Sequence, residues 1–312
     1  MIRNELEIFI EKVVKKLYNI DYRAKIDRPQ DPVFGDYSTN IAMLIKKNPQ
    51  EIADAIKSDL IEKTEVKNGF INFFVSKDYL QKQVKEILKH PKSFGELKIG
   101  QGEKVNIEFI SANPTGPLTL GNGRGGFCGD VLANVLQKAG YKVSREYYIN
   151  DAGEQVRKLG HSVLGDEEAV YEGKYVEKLR EELKDSKAIK ENDVMRVGKD
   201  AAAKVLDEMI KPSVKKMGIG FDTWFFEQSL YDKKEVNNAL EFLKKKGLTY
   251  EKEGALWFKS TEFSDDKDRV LVKENGEKTY LASDIAYLKN KFKRVFEKLV
   301  FFWGADHYGY IE

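Results

Sequence analysis

The sequence is poor in the residues that staple or metallate a fold: it has one cysteine, Cys128, and three histidines, His90, His161 and His307. A single thiol excludes an internal disulfide framework, and the imidazoles fall at no spacing suited to zinc. No apolar run approaches the roughly 18 residues that a membrane helix needs. The start, MIRNELEIFIEKVVKK, scatters its charges where a signal peptide would have a basic end followed by an apolar block. An excess of one charge is missing too. The 53 basic and 51 acidic residues leave +2, too balanced for a polycation held on nucleic acid by bulk charge. Only 24 glycines and 7 prolines stand among 312 residues that are 41% hydrophobic, which excludes collagen-like, low-complexity and wholly disordered chains. What remains is a globular, soluble protein suited to a reducing cytoplasm, long enough for about two domains.

The first eighteen residues carry Ile2, Leu6, Phe9, Ile10, Val13, Val14 and Leu17 at helical spacing and predict an amphipathic helix. A strand near Tyr22 to Ile26, helices at Tyr37 to Lys47 and Pro49 to Ser58, the aromatic strand Gly69 to Ser76 and a helix from Lys77 to Leu88 complete a small α+β unit. His90 to Gly102, with Pro91 and three glycines, reads as a linker. Beyond it the pattern becomes strand (VNIEFI), Gly/Pro loop (NPTGPLTLGNGRGG), helix (FCGDVLANVLQKAG) and strand (YKVSREYYI). A parallel β-loop-α-β unit opened by a glycine-rich loop is how doubly wound nucleotide-binding folds start. Asn150 to about Gly218 is charged and helical, as an insertion or crossover would be. KLVFFWG reads as a buried strand, and GADHYGY follows it.

Between Asn113 and Gly126 five glycines and two prolines lie between strand and helix, so that backbone amides approach a ligand closely. Phosphate is the natural guest. Thr119 and Asn122, three apart at the helix start, are able to face one side and donate to phosphate oxygens, with Arg124 adding a permanent charge.

The segments EFISANPTGPLTLGNGRGG, GYKVSREYYINDAGEQ, STEFSDDKDRVLV, TYLASDIAYLKNKF and FWGADHYGY resemble, in the same order, the class I arginyl-tRNA synthetases. GDYSTNIAM, NPQEIADAI and GFINFFVS are similar to that family's amino-terminal module. The resemblance implies an α/β protein: a small α+β tRNA-binding domain over 1–95, then a Rossmann-like, HUP-type doubly wound catalytic domain over 96–312. That second domain is expected to be incomplete and to carry a helical insertion at about 155–225. Arginine and ATP would give arginyl-adenylate and pyrophosphate, and the arginyl group would pass to the terminal adenosine of tRNA(Arg). ATP is expected as its Mg2+ complex, with no tightly bound cofactor, no metal site and no membrane, in a cytoplasmic monomer.

Residue by residue, the resemblance assigns Glu108, Tyr280 and Asp284 to the arginine guanidinium, whose planar donors match carboxylates in a way lysine cannot copy. Ser111 and Asn113 would hold the α-amino and carboxylate groups. Pro117, Gly121, Gly123, Arg124, Gly304, Asp306 and His307 fall at ATP-binding positions, with Asp306 on a ribose hydroxyl and His307 as a stacking partner or helix cap. Asn150 and Asp151 read as a turn and cap, and Gln155 as a substrate contact. Thr119 and Asn122 occupy the catalytic signature positions. There the family has histidines, and losing one such phosphate donor typically costs about 2.7–4 kcal/mol. A KMSKS-like lysine loop is absent, the position of a substitute lysine is Gly116, and no anticodon-binding helical domain follows. A chain cut after the first half of the catalytic fold, and inactive alone, is therefore expected. The alternative is a non-catalytic tRNA-binding or regulatory relative; the retained Glu108, Asn113, Tyr280 and Asp284 favour the ligase.

Overall fold

A computed structural model describes residues 2–304 of the chain. The chain divides into two compact units, Met1–Phe94 and Gly95–Glu312.

In the first unit, helix α1 (Ile2–Tyr18) buries Leu6, Ile10 and Val14, one residue per turn along a single face. Strand β1 (Tyr37–Thr39), helices α2 (Ile41–Leu44) and α3 (Pro49–Ala55), strands β2 (Ile61–Lys67) and β3 (Phe70–Val75) and helix α4 (Lys77–Lys89) follow. The strands form an antiparallel sheet in the order β1-β3-β2. Asn48 and Ser76 cap α3 and α4 through side-chain oxygens that accept from Gln50 and Tyr79 N–H groups at 2.9 and 3.1 Å. Three expectations change here. Tyr22 to Ile26 is not a strand: this stretch only buries Ala24 and Ile26, and the single bridge nearby joins Asp27 to Ser38. Tyr37 to Thr39 is a strand and not the start of a helix, because its three residues pair with Ile71 to Phe73. The unforeseen β2 joins β3 through Asn68 and Gly69, both at positive φ (51° and 81°), the backbone a two-residue hairpin requires.

The second unit contains strand β4 (Lys104–Glu108), helix α5 (Leu120–Lys138), strand β5 (Lys142–Ile149), helices α6 (Glu154–Leu164), α7 (Lys174–Leu183), α8 (Lys187–Lys190) and α9 (Val194–Lys204), a π-helical segment (Val205–Ile210) and helix α10 (Lys211–Lys216). Strand β6 (Thr223–Phe226), helices α11 (Gln228–Asp232) and α12 (Glu235–Lys245), strands β7 (Thr249–Lys252), β8 (Ala255–Phe258) and β9 (Arg269–Val272), helix α13 (Tyr280–Lys293) and strand β10 (Lys298–Phe301) complete it. The main sheet is parallel, ordered β10-β4-β5-β6, and the β7-β8-β9 sheet is antiparallel.

Alternation along β4 and β5 dresses the two sheet faces differently. Val105, Ile107, Phe109, Tyr147 and Ile149 join one core with Ala133 of α5 and the α6–α10 helices. Tyr148 packs instead with α12 and α13. The close approach of α5 to the sheet depends on Gly129, where a Cβ would stand 2.3 Å from Phe109 Cγ. Helices α6 and α9 cross on Gly160 and Gly198, whose added Cβ atoms would meet Val194 and Val156 carbonyl oxygens at 2.0 and 2.1 Å.

The expected insertion at 155–225 ends earlier than its range. Its helices stop at Lys216, and Thr223 to Phe226 pair in parallel with Glu146 to Ile149, so the helices form a crossover from β5 to β6. The stretch read as a linker is stitched to the turn after α5: Leu97, Gly100 and Gly102 N–H groups donate to Lys138, Ala139 and Gly140 carbonyls at 2.7–2.9 Å. The fourteen-residue glycine loop is shorter than expected, because Leu120 to Gly126 are already helical.

Candidate functional site

From β4 the chain passes through α5 to β5 on one side and returns, much later, to β10 on the other. Ligands of open parallel sheets sit outside the carboxyl ends of strands at such a switch point. At that end Phe301, Glu108 and Glu146 lie in register across β10, β4 and β5.

Glu108 and Glu146 face α13, and the helix answers with Tyr287, Lys291 and Arg294. Lys291 is fully buried and donates to Asn106 Oδ1 at 2.6 Å and Glu108 Oε2 at 2.8 Å. The Tyr287 hydroxyl lies 2.8 Å from the same Glu108 oxygen and 2.5 Å from Glu146 Oε1. Arg294 grips Glu146 with both terminal nitrogens. Despite its burial, Glu146 stays below the usual carboxylate range, held there by Arg294, Lys291 and Tyr287. Burial, then the two carboxylates, pushes the Tyr287 phenol far above its ordinary value, so the hydroxyl keeps its proton.

Asp284, one turn before Tyr287, has no hydrogen-bond partner among the described residues and opens to solvent on one side. Partial enclosure, followed by the charges of Glu227 and Glu108, pushes its carboxyl up to about 6. Glu227 is buried between Tyr148 and Ser283 and is likewise raised, chiefly by burial. Three acids thus influence one small volume, and the two cations of the cluster already hold Glu108 and Glu146. The electrostatic demand of this volume is for a positive charge. Tyr280, which opens α13, is exposed at its rim.

After β4 the backbone is strained. Ile110 and Ser111 both have positive φ (65° and 40°), unusual for consecutive non-glycine residues and costly for a β-branched one. The turn is pinned by β5: Ser111 Oγ accepts from Tyr148 N–H at 3.0 Å, and the Tyr147 hydroxyl donates to the Ala112 carbonyl at 2.9 Å. Asn113 and Pro117 are exposed, and Gly116 lies under the Tyr175 ring. Thr119 is the N-cap of α5 and Asn122 its third residue, and their side chains bond to one another and to each other's backbone. Gly121, Gly123 and the exposed Arg124 lie on the first turns of α5.

The structure therefore gathers Glu108, Ser111 and Asp284 near one sheet end, with Tyr280 at the margin, and sets Thr119, Asn122, Gly121, Gly123 and Arg124 at the start of α5. Gly304 is exposed beyond β10, and the expected ribose and stacking residues, Asp306 and His307, lie outside the described residues. Asp151 accepts from Gln228 N–H at 2.9 Å, fixing the start of α11. Gln155 is engaged by the Tyr171 hydroxyl. Sequence reasoning missed Asn106, Glu146, Tyr148, Glu227, Tyr287, Lys291 and Arg294. One signal was available: Tyr280, Asp284, Tyr287, Lys291 and Arg294 follow at intervals of four, three, four and three, a polar stripe on one face of a helix.

Among the described residues no helix is long and apolar enough to cross a membrane, and no group of three or more His, Cys, Asp or Glu is arranged for a metal.

Residues 83–311 match the family model for the catalytic domain of class I tRNA synthetases (R), and residues 3–75 match the arginyl-tRNA synthetase N-terminal domain. The arginine–tRNA ligase of Caldanaerobacter subterraneus subsp. tengcongensis is 46% identical over 315 residues, and that of Bacillus subtilis 44% over 314; each alignment covers 92% of this chain and 56% of the relative. A Campylobacter jejuni structure assigned to the arginyl-tRNA synthetases superimposes with a TM-score of 0.69 at 37% identity, over 76% of this chain and 55% of the other. The chain thus spans little more than half the length of the curated relatives it matches. Two family models in sequence order, relatives of this identity and a parallel sheet with acids at its carboxyl end agree: the chain belongs to the class I arginyl-tRNA synthetases.

Proposed function

We propose that this chain supplies the amino-acid and nucleotide sites of an arginine–tRNA ligase. One oxygen of the arginine carboxylate attacks the α-phosphorus of ATP, the bond to the departing pyrophosphate breaks, and arginyl-adenylate forms. A hydroxyl of the terminal adenosine of tRNA(Arg) then attacks the arginyl carbonyl and releases AMP.

The observation that carries this reading is the placement of Asp284, with no hydrogen-bond partner among the described residues, beside Glu108 and Glu227. A guanidinium bound there offers paired, charge-assisted hydrogen bonds to carboxylates and relieves their repulsion. In this reading Glu108 and Asp284 hold the guanidinium, Tyr280 covers it, and Ser111 and Asn113 orient the α-amino and carboxylate groups toward ATP. Pro117, Gly121, Gly123, Arg124, Gly304, Asp306 and His307 receive the nucleotide, which arrives as its Mg2+ complex. Thr119 and Asn122 stand beside its phosphates. The amino-terminal unit binds tRNA, and the protein works as a cytoplasmic monomer.

Arginine-dependent exchange of pyrophosphate into ATP in the presence of tRNA(Arg), together with charging of that tRNA, tests the reading. A second reading, a tRNA-binding relative without catalysis, draws support from Thr119 and Asn122, whose side-chain oxygens are engaged in the helix cap. Salt-dependent tRNA binding without exchange would decide for it.

A further inference from the structure

The cluster beneath the site contains two carboxylates and two cations, and its parts are not equivalent. Lys291 is the most deeply placed: its side chain has no exposure, it lies 2.8 Å from Glu108 Oε2 and 3.5 Å from Glu146 Oε1, and its ammonium stands 4.5 and 4.4 Å from the centres of the Tyr287 and Phe301 rings. A lysine in such surroundings is stable only with anionic and hydrogen-bonding partners, which Asn106, Glu108 and Glu146 provide. Tyr287 carries one hydroxyl proton between two acceptors, Glu108 Oε2 and Glu146 Oε1. Arg294 also grips both oxygens of Glu146, and the tyrosine hydroxyl, 2.5 Å from Glu146 Oε1 and 2.8 Å from Glu108 Oε2, bridges the two carboxylates.

Glu108 Oε2 therefore lies within hydrogen-bond distance of the Lys291 ammonium and of the shared Tyr287 hydroxyl, whereas Oε1 has no hydrogen-bond partner among the described residues. We propose that Lys291 and Tyr287 are positioning residues: together they fix one oxygen of Glu108 and leave its second oxygen free for a substrate cation. This deepens the reading of Glu108 as a guanidinium ligand and rests on it. Among the described residues, the charged or titratable groups around Glu108 are Glu146 and Tyr148 from β5, Glu227 just after β6, Asp284, Tyr287 and Lys291 from α13, and Arg294 at its end. Lys291 and Arg294 pair with Glu108 and Glu146, so Asp284 and Glu227 are the acids left outside those pairs, and Asp284, open to solvent, is the one the substrate meets. Without the lysine, Glu108 faces Glu146 and Asp284 with no ammonium between them, and nothing holds its carboxylate in the orientation that presents the second oxygen.

The experiment is calorimetric titration of wild type, Tyr287→Phe and Lys291→Met with L-arginine and with L-citrulline, which carries a neutral urea in place of the guanidinium. Tyr287→Phe, which removes a hydrogen bond to a charged group without changing charge, should weaken arginine roughly ten- to a hundredfold. Lys291→Met should weaken it by more than about a hundredfold, and both variants should change citrulline little. A loss equal for both ligands is what damaged packing produces, and it would overturn the positioning assignment. Wild-type affinity in both variants would overturn the positioning role while leaving the site reading intact. Failure of the wild type itself to bind arginine would overturn that reading and the proposal together. Should Lys291→Met not fold, Tyr287→Phe decides alone, because unchanged affinity in that variant removes the anchor of Oε2.

Discussion

Thr119 and Asn122 are each other's partners: Thr119 Oγ1 accepts the Asn122 backbone N–H at 3.3 Å, while Asn122 Oδ1 accepts the Thr119 N–H and hydroxyl, both at 2.8 Å. This reciprocal cap satisfies two donors at the start of α5 that have no partner inside the helix. The two positions that resemble the synthetase signature thus already have a structural role. Among the described residues the Asn122 side-chain amide makes no hydrogen bond, so in the proposed reaction it is the group of this pair left to donate to a phosphate oxygen.

Thr119→Ala removes the cap and should lower stability by about 0.5–2 kcal/mol, whereas Thr119→Ser should be nearly neutral. Urea unfolding of the three proteins checks this. Equal stability of Thr119→Ala and wild type would mean that the cap contributes nothing.

Two glycines of α5 should respond in opposite senses. Gly129→Ala forces a methyl group to within 2.3 Å of Phe109 Cγ and should destabilise by about 1–3 kcal/mol. At Gly125 a Cβ meets nothing within 4 Å, and the residue is helical, so Gly125→Ala should stabilise by about 0.8–1 kcal/mol. Thermal melts of both variants separate a helical start from a glycine loop, since in a ligand-cradling loop with special backbone angles alanine at 125 would bring no gain.

As the proposed guanidinium ligand, Asp284 would couple arginine binding to pH. Its folded-state carboxyl titrates at about 6, against 3.8 for an ordinary aspartate, so the folded chain holds a proton that the unfolded chain has already lost. Stability from this group is present below the lower value and is lost as pH rises through the window toward about 6. Asp284→Asn should therefore be more stable than wild type at neutral pH, and the two should converge near pH 4. Guanidinium binding needs the ionised form and runs the other way: affinity should fall by up to about tenfold per pH unit below about 6, and Asp284→Asn should lose that dependence. Glu227, also raised, titrates in the same direction, so the difference between the two proteins is the quantity to read.

Much of the second unit was legible because its signals are local. The β4-α5-β5 succession followed from a change of period and from glycine at the turns, and the chemistry-bearing residues stood inside recognisable segments. The start of α5 was misplaced because Gly121, Gly123, Gly125 and Gly126 have poor helix propensity, yet tertiary packing overrode it: Gly126 and Gly129 are the helix's contact points with Ile110, Ile219 and Phe109. The buried polar cluster was harder to see. Glu108 and Glu146 look like strand-end charges until the register places them side by side, and Lys291 reads as a solvated helix lysine until α13 is laid across that sheet face. Those facts depend on residues up to 185 positions apart, which no local pattern encodes.

In the proposed function the carboxyl end of β4 and the first turns of α13 recognise a guanidinium by its charge. Calorimetric comparison of L-arginine with L-citrulline, which replaces the guanidinium by a neutral urea of nearly the same shape, tests it most directly. Arginine should bind at least about a hundredfold more tightly, and Glu108→Gln and Asp284→Asn should each cost about 3–5 kcal/mol toward arginine while changing citrulline little. Equal affinity for the two ligands, or arginine binding untouched by both substitutions, would contradict it.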